Sequence, residues 1–153
     1  MSTKGPEVGT VAPDFALESA GGTVRLSDHR GRKVVLSFYN EDATPTCQQQ
    51  TVSFKDEYGM LEDLGAQVLG ISVDDLESHR RFVERLGGLP YPLLVDAGAE
   101  VAQRYGVADE TGRRARNAVY VIDENGVVAL KLVPYLPAKP EHFMAVFEAV
   151  GLE

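Results

Sequence analysis

The sequence has only one cysteine, Cys47, in 153 residues. A single cysteine excludes a disulfide bond within the chain and suits a reducing compartment, so we expect a cytoplasmic protein. The three histidines, His29, His79 and His142, are also few, and they lack the spacing of metal ligands. We therefore expect no metal and no other cofactor, and we interpret all three histidines as surface residues.

Long apolar runs and excess positive charge are likewise missing. No apolar run approaches the roughly 20 residues of a membrane-spanning helix, and the N-terminus lacks the apolar core of a secretion signal. The net charge is −8, which argues against nucleic acid and anionic membranes as main partners. With no internal repeat and an ordinary composition, the chain is predicted to form one globular domain over residues 1–153.

The most informative stretch is an apolar run followed by a helix start and the cysteine. Residues 34–39 are rich in β-branched and aromatic side chains and predict a buried strand. After a short polar loop, Thr44 is predicted to cap a helix through its side-chain oxygen, with Pro45 as the first helical residue. Cys47 then falls in the first turn, where free backbone N–H groups and the helix dipole favour the reactive thiolate. The alternative is an inert, buried cysteine that only fills space.

The rest of the chain alternates predicted strands and helices. A hairpin around Gly21-Gly22 comes first, and one helix over residues 45–64 follows the central strand. Further elements are predicted at residues 67–73, 74–86, 91–95, 100–105, 117–122, 127–133 and 141–150. This order predicts an α/β fold, in which helices cover both faces of a mixed sheet that has parallel neighbours and a late antiparallel hairpin.

Several blocks of the sequence resemble the peroxiredoxins of one-cysteine type, most nearly the bacterioferritin-comigratory-protein-like branch. The opening Gly9-Thr10-Val11-Ala12-Pro13-Asp14-Phe15 and the segment from Phe38 to Cys47 are similar to the family motifs G-x-x-A-P-D-F and F-Y-P-x-x-x-T-P-x-C. Further blocks match in order at residues 54–56, 68–72, 78–82, 93–96, 105–107 and 121–123. The resemblance covers nearly the whole chain and implies a thioredoxin-like fold, a mixed central sheet flanked by helices, with an N-terminal β-hairpin extension.

The resemblance also implies a thiol-dependent peroxidase. In the family a cysteine thiolate attacks a hydroperoxide and becomes a sulfenic acid, while a threonine and an arginine contact the thiolate and the peroxide. Cys47 matches the cysteine and Thr44 the threonine, and Arg116 is our candidate for the arginine. The candidate substrate-binding residues are Asn40, Thr46 and Asn117.

The position of the family arginine needs a closer count. That arginine lies six residues before the aspartate of the V-I-D block, which leads back from Asp123 to Asn117, with Arg116 one residue further. Neighbouring residues on a strand point to opposite faces, so Arg116 reaches the site only if the strand starts later or contains a bulge. Otherwise Arg116 belongs to a solvated cluster with Arg113 and Arg114.

Other departures from the family pattern affect the site and its recycling. Asn40 stands where the family has proline, and its polar side chain could admit water or hydrogen-bond the loop. Gln50 stands where many relatives have glutamate, which removes a negative charge near the sulfur. Where a thioredoxin-type reductase has C-x-x-C, this chain has Thr44-Pro45-Thr46-Cys47, so no internal disulfide can form.

The partners implied are therefore a hydroperoxide and an external thiol reductant, which would be a thioredoxin-like or glutaredoxin-like protein or a low-molecular-weight thiol. Members of the family often dimerise, so a homodimer is a further expectation. A second hypothesis keeps the fold but not the turnover: a thiol redox sensor or binding protein in which Asn40 and Asn117 mark a degraded peroxide site. Steady-state turnover with a supplied thiol separates the two hypotheses.

Overall fold

The computed structural model describes residues 5–151. Its strands are β1 (Ala16–Ser19), β2 (Gly22–Arg25), β3 (Lys33–Phe38), β4 (Ala66–Ser72), β5 (Leu93–Val95), β6 (Ala118–Ile122) and β7 (Val128–Leu132). Its helices are α1 (Pro45–Asp56), α2 (Tyr58–Asp63), α3 (Leu76–Arg85), α4 (Glu100–Arg104) and α5 (Pro140–Val150). Short 3₁₀ turns lie at Leu26–His29 and Ala97–Ala99.

All seven strands form one mixed sheet in the order β2-β1-β5-β4-β3-β6-β7. The central strands β3, β4 and β5 are parallel, while β1 and β6 join them antiparallel. Both predicted hairpins form, β1 with β2 and β6 with β7. Gly22 begins β2 with a φ of +112°, a conformation that glycine adopts without steric cost. The prediction of a mixed α/β sheet is confirmed.

Apolar side chains pack on both faces of the sheet. On one face, Leu36 and Leu69 pack with α4 and with the segment that precedes β1. On the other face, Val35 and Val68 pack with α1, α2, α3 and α5. A strand covered on both faces needs apolar residues at successive positions, which explains the continuous runs in β3 and β4. Each fully buried aliphatic side chain contributes about 1.5–3 kcal/mol.

The helix predicted over residues 45–64 is in fact two helices, α1 and α2. Glu57 interrupts it with φ −106° and ψ 14°. This residue is neither glycine nor proline, so its type does not mark the break. Phe54, Tyr58 and Leu61 nevertheless all lie in the core, as their spacing predicted. Within residues 5–151, no helix has the length and apolar character that crossing a membrane requires.

Candidate active site

Strand β3 ends where three chain segments meet. Its last residue, Phe38, pairs with Ile71 of β4 and with Ala118 of β6. The loop that follows β3 therefore lies beside the turn after β4 and beside the residues just before β6. Helix α1 begins from this loop, and Cys47 is its third residue, in the predicted first turn.

Thr44 occupies the predicted N-cap position, but its side chain does not cap the helix. Its backbone is extended, with φ −85° and ψ 142°, as an N-cap residue requires. The hydroxyl group instead donates to the carbonyl oxygen of Glu41 at 3.4 Å. The expectation of a side-chain cap is therefore wrong, because the loop turns the hydroxyl back onto Glu41. The Thr44 side chain thus leaves the N–H groups of the first turn uncapped, and these groups, with the helix dipole, favour an anion near Cys47.

A chain of hydrogen bonds begins at the Cys47 sulfur. The Cys47 side chain is 1% exposed, and its thiol donates to Oδ1 of Asn117 at 3.6 Å. Nδ2 of Asn117 donates to Oε1 of Gln50 at 2.9 Å. Nε2 of the buried Gln50 donates to the Phe38 carbonyl oxygen at 3.0 Å and to the Ser37 hydroxyl at 2.8 Å. Because a carbonyl oxygen can only accept, Phe38 fixes the direction of the chain, and Asn117 presents its oxygen to the sulfur.

The structure places Asn117, and not Arg116, beside Cys47. Along β6, Val119 packs on the same face of the sheet as Cys47, and Tyr120 packs on the opposite face. Extending this alternation backwards assigns Asn117 to the Cys47 face and Arg116 to the other. The Arg116 side chain is exposed, and the register shift in β6 lies at the far end of the strand, where it cannot turn Arg116 inward. The expectation that a bulge brings Arg116 to the sulfur is therefore wrong.

Asn40 hydrogen-bonds a neighbouring loop. Its Nδ2 donates to the Ala115 carbonyl oxygen at 2.9 Å and to Oδ2 of Asp109 at 3.4 Å. Arg114 in turn donates to the Asn40 carbonyl oxygen at 3.1 Å. Of the two effects expected for a polar residue here, the structure shows the bond to the loop. Thr46 is exposed in the first turn of α1, and its part in substrate binding stays a prediction.

A buried ion pair lies beneath the loop that leads into α1. Asp42 and His79 are 2% and 3% exposed, and Nδ1 of His79 lies 2.8 Å from Oδ2 of Asp42. Nε2 of His79 lies 3.1 Å from the Leu94 carbonyl oxygen. Tyr39 donates to Oδ1 of Asp42 at 2.7 Å, and Ser78 donates to Oδ2 at 2.8 Å. Both ring nitrogens of His79 face oxygens that accept, an arrangement that the imidazolium form satisfies with an N–H at each nitrogen.

Charge pairing shifts the pKa of both partners. Burial alone would raise the pKa of Asp42, but hydrogen bonds from His79 and Tyr39 and the charge of His79 outweigh burial and lower that pKa. Burial alone would lower the pKa of His79, but the hydrogen bond to Asp42 and the Asp42 charge raise it above the usual value for histidine. Both directions favour the ionised pair over the neutral one.

The interpretation of His79 as a surface residue is wrong, while His29 and His142 are partly exposed. A signal for the burial of His79 was present, because it lies three residues before the buried Phe82 on the apolar face of α3. The partner Asp42 gave no such signal, since it lies in a polar loop 37 residues away. Within residues 5–151, no three His, Cys, Asp or Glu side chains are placed to hold a metal ion.

Comparison with known proteins connects these features to a family. A model of the AhpC/TSA family matches residues 8–131. Peroxiredoxin Q, chloroplastic, of Oryza sativa subsp. japonica is 43% identical over 122 residues, which cover 78% of this chain and 56% of that protein. Peroxiredoxin 2 of Caldanaerobacter subterraneus subsp. tengcongensis is 34% identical over 139 residues, which cover 86% of this chain and 62% of that protein.

The fold agrees with the sequence comparison. The crystal structure of peroxidoxin BcpB from Mycobacterium tuberculosis matches with a TM-score of 0.82 at 27% identity, covering 95% of this chain and 96% of that chain. The chain spans little more than half the length of the plant relative, of which 56% is covered. The family model nevertheless covers most of this chain. The chain therefore belongs to the AhpC/TSA family and has the thioredoxin-like fold of the peroxiredoxins.

Proposed function

We propose that the protein is a thiol-dependent peroxidase that reduces hydrogen peroxide and alkyl hydroperoxides through a sulfenic acid on Cys47. The observation that carries this proposal is the position of the sulfur. It lies in the first turn of α1, near N–H groups that no side chain caps, and 3.6 Å from the Asn117 side chain. Relatives whose names include peroxiredoxin Q and peroxiredoxin 2 support the same chemistry.

The reaction transfers one oxygen and two electrons. The Cys47 thiolate attacks the terminal oxygen of the hydroperoxide, an S–O bond forms and the O–O bond breaks. The leaving oxygen takes a proton and departs as water or an alcohol, and Cys47 becomes a sulfenic acid. The first-turn N–H groups and the helix dipole stabilise the negative charge that moves from sulfur to the leaving oxygen.

Asn117 stabilises this negative charge less than a cation at the same place would. Its Nδ2 is bound to Gln50, so the group that faces the sulfur is an acceptor. To donate to an anion, the Asn117 amide must turn over and exchange its bond to Gln50, which costs about 0.5–1.5 kcal/mol. Within residues 5–151, no lysine or arginine side chain forms a hydrogen bond to Cys47, Asn117 or Gln50. We therefore expect a peroxidase that is slower than one with an arginine at position 117.

Recycling requires thiols from outside the chain. A first external thiol attacks the sulfur of the sulfenic acid, giving a mixed disulfide and water, and a second thiol releases Cys47 and leaves as part of a disulfide. Cys47 is the only cysteine in the sequence, so the chain has no second thiol to resolve the sulfenic acid. A protein or low-molecular-weight thiol in a reducing compartment such as the cytoplasm fits this need, and a homodimer is compatible with it.

A second candidate function follows from two observations at the same site. Asn117 replaces the expected cation, and Asn40 binds the loop at Ala115 where the family has proline. A thiol sensor that is oxidised once and then read by a partner needs a reactive cysteine but no fast turnover. The two functions differ in their kinetics, not in the first chemical step.

Single-turnover and steady-state measurements test both proposals. Reduced protein is mixed with hydrogen peroxide, quenched at short times and analysed by mass spectrometry for the addition of one oxygen at Cys47. Steady-state peroxide consumption is then measured with dithiothreitol and with a thioredoxin system, and Cys47→Ser is the inactive control. Oxygen addition with sustained turnover supports the peroxidase, and oxygen addition without turnover supports the sensor. A rate equal to that of a free thiol would contradict both.

A further inference from the structure

Asp42 anchors the active-site loop, defined as residues 39–44, which leads from β3 into α1. Its backbone N–H donates to Oδ2 of Asp74 at 2.9 Å, and its carbonyl oxygen accepts from Nε2 of Gln48 at 3.3 Å. Its two carboxylate oxygens accept from Tyr39 and from His79. Gln48 is the residue after Cys47, so the Asp42 backbone is joined directly to the first turns of α1. Asp42 is therefore connected to the part of α1 that carries the sulfur.

His79 binds Asp42 but does not itself belong to the active-site loop. It lies on α3, and its ring spans from the Asp42 carboxylate to the Leu94 carbonyl oxygen on β5. We propose that His79 is a positioning residue for Cys47: its imidazolium fixes Asp42 and the active-site loop, and its neutral form releases them. This inference rests on the proposed function only where peroxide is the reactant.

The release follows from hydrogen-bond counting. A neutral imidazole has one N–H and one bare nitrogen, whereas both oxygens that face the ring, on Asp42 and Leu94, can only accept. Loss of one proton therefore breaks one of the two bonds, and the oxygen on Asp42 or Leu94 loses the donor that His79 supplied. The Asp42 carboxylate also loses its positive partner, and the two residues are only 2% and 3% exposed. Both changes loosen the active-site loop.

The charged surroundings of His79 favour its protonated form. From the active-site loop, His79 faces Asp42, which in turn accepts a hydrogen bond from Tyr39. Burial raises the pKa of Tyr39, so Tyr39 keeps its O–H. From the turn after β4 the charge of Asp74 acts in the same direction as that of Asp42. His79 also lines a groove of about 440 Å³ together with Arg80 and Glu84 of α3 and Tyr91.

A loosened loop should affect two reactions of Cys47 in opposite directions. Peroxide reduction needs the sulfur aligned with the first-turn N–H groups, so it becomes slower. Alkylation by iodoacetamide needs access to a sulfur that is 1% exposed, so it becomes faster. A purely structural role for His79 would lower stability without linking these two rates to one titration in the folded protein.

The test measures both rates from pH about 6 to about 10, alongside the NMR titration of the His79 ring in the wild-type protein. Thiol ionisation alone makes both rates rise to a plateau. We expect a second step at higher pH, in which the peroxide rate falls and the alkylation rate rises further. The midpoint of this step should equal the midpoint of the His79 titration. His79→Gln should remove this second step and lower the peroxide rate by between about tenfold and 100-fold. The matched control is His142→Gln, which should keep the wild-type profiles.

Each outcome decides between the two proposals. If the wild-type protein does not react with peroxide but its alkylation rate follows the His79 titration, the proposed function fails and the positioning role stands. If peroxide reacts and neither rate follows the His79 titration, the positioning role is overturned. This comparison uses only the wild-type protein, so it can be made even if His79→Gln does not fold. A folded His79→Gln variant with wild-type rates in both reactions would also overturn the positioning role.

Discussion

Replacing Asn117 with arginine should accelerate the reaction of Cys47 with hydrogen peroxide by about 30-fold. In the wild-type protein, Oδ1 of Asn117 lies 3.6 Å from the sulfur, and Nδ2 is bound to Gln50. The amide thus presents an acceptor to a sulfur that must become anionic. A guanidinium at this place presents only donors and a positive charge, and the Gln50 oxygen can accept from it.

The magnitude follows from the distance and the exposure of the site. Two opposite unit charges about 4 Å apart attract each other by about 4 kcal/mol at an effective dielectric constant of about 20. Position 117 is half-buried, so we assign about half of this attraction to screening by water, which leaves about 2 kcal/mol. At about 1.4 kcal/mol for each factor of ten, the rate constant rises by about 30-fold.

The assay is quenched-flow mass spectrometry of Cys47, because the chain has no tryptophan to report oxidation by fluorescence. Asn117→Gln is the matched control, since it lengthens the side chain without adding charge. Added salt should reduce the gain of Asn117→Arg and leave Asn117→Gln unchanged. A folded Asn117→Arg variant that reacts no faster than Asn117→Gln would refute the electrostatic effect assigned to a cation at position 117.

Three further predictions follow from the described contacts. Arg116→Ala should change the peroxide rate by less than about twofold, because its side chain is exposed on the face opposite Cys47; a loss near 100-fold would contradict this placement. Asp75→Ala should lower the free energy of unfolding in urea by about 1 kcal/mol, because the Asp75 side chain caps α3 through the Ser78 N–H; an unchanged midpoint would show that the cap contributes nothing. The free energy of unfolding should depend on pH at both the acidic and the alkaline end of the pH range. The raised pKa of His79 gives a contribution that is complete below about pH 6.5 and is lost as pH rises through that raised value. The lowered pKa of Asp42 gives a contribution present above about pH 3.9 and lost as pH falls through that lowered value. Urea unfolding against pH measures both, and a flat alkaline limb would argue against the buried imidazolium.

Local signals in the sequence were enough to place the sulfur. The apolar run of β3 and the Thr44-Pro45 pair act over a few residues, so they predict the start of α1 and the first-turn position of Cys47. Counting from Asp123 also led to Asn117, since the alternation of a strand is a local rule. The choice of Arg116 failed because it required a bulge that β6 has only at its far end.

Contacts between distant segments could not be predicted in the same way. The ion pair of Asp42 and His79 joins residues 37 positions apart in the sequence. It forms only because the ends of β3, β4 and α3 lie close together in the fold. The turned hydroxyl of Thr44 and the break at Glu57 likewise depend on how each helix packs, not on which residue types occur there. A charged residue in a polar loop is usually solvated, so sequence patterning assigns Asp42 to the surface.

In the proposed peroxidase cycle, the burial of Cys47 separates oxidation by peroxide from reduction by a thiol. Hydrogen peroxide has only two oxygen atoms, whereas a reductant the size of a protein cannot reach a sulfur that is 1% exposed. Such a reductant must wait until the first turn of α1 frays. The missing side-chain cap at Thr44 makes fraying easier by about 1 kcal/mol. Recovery with a protein thiol then has an upper limit set by how often the helix end opens.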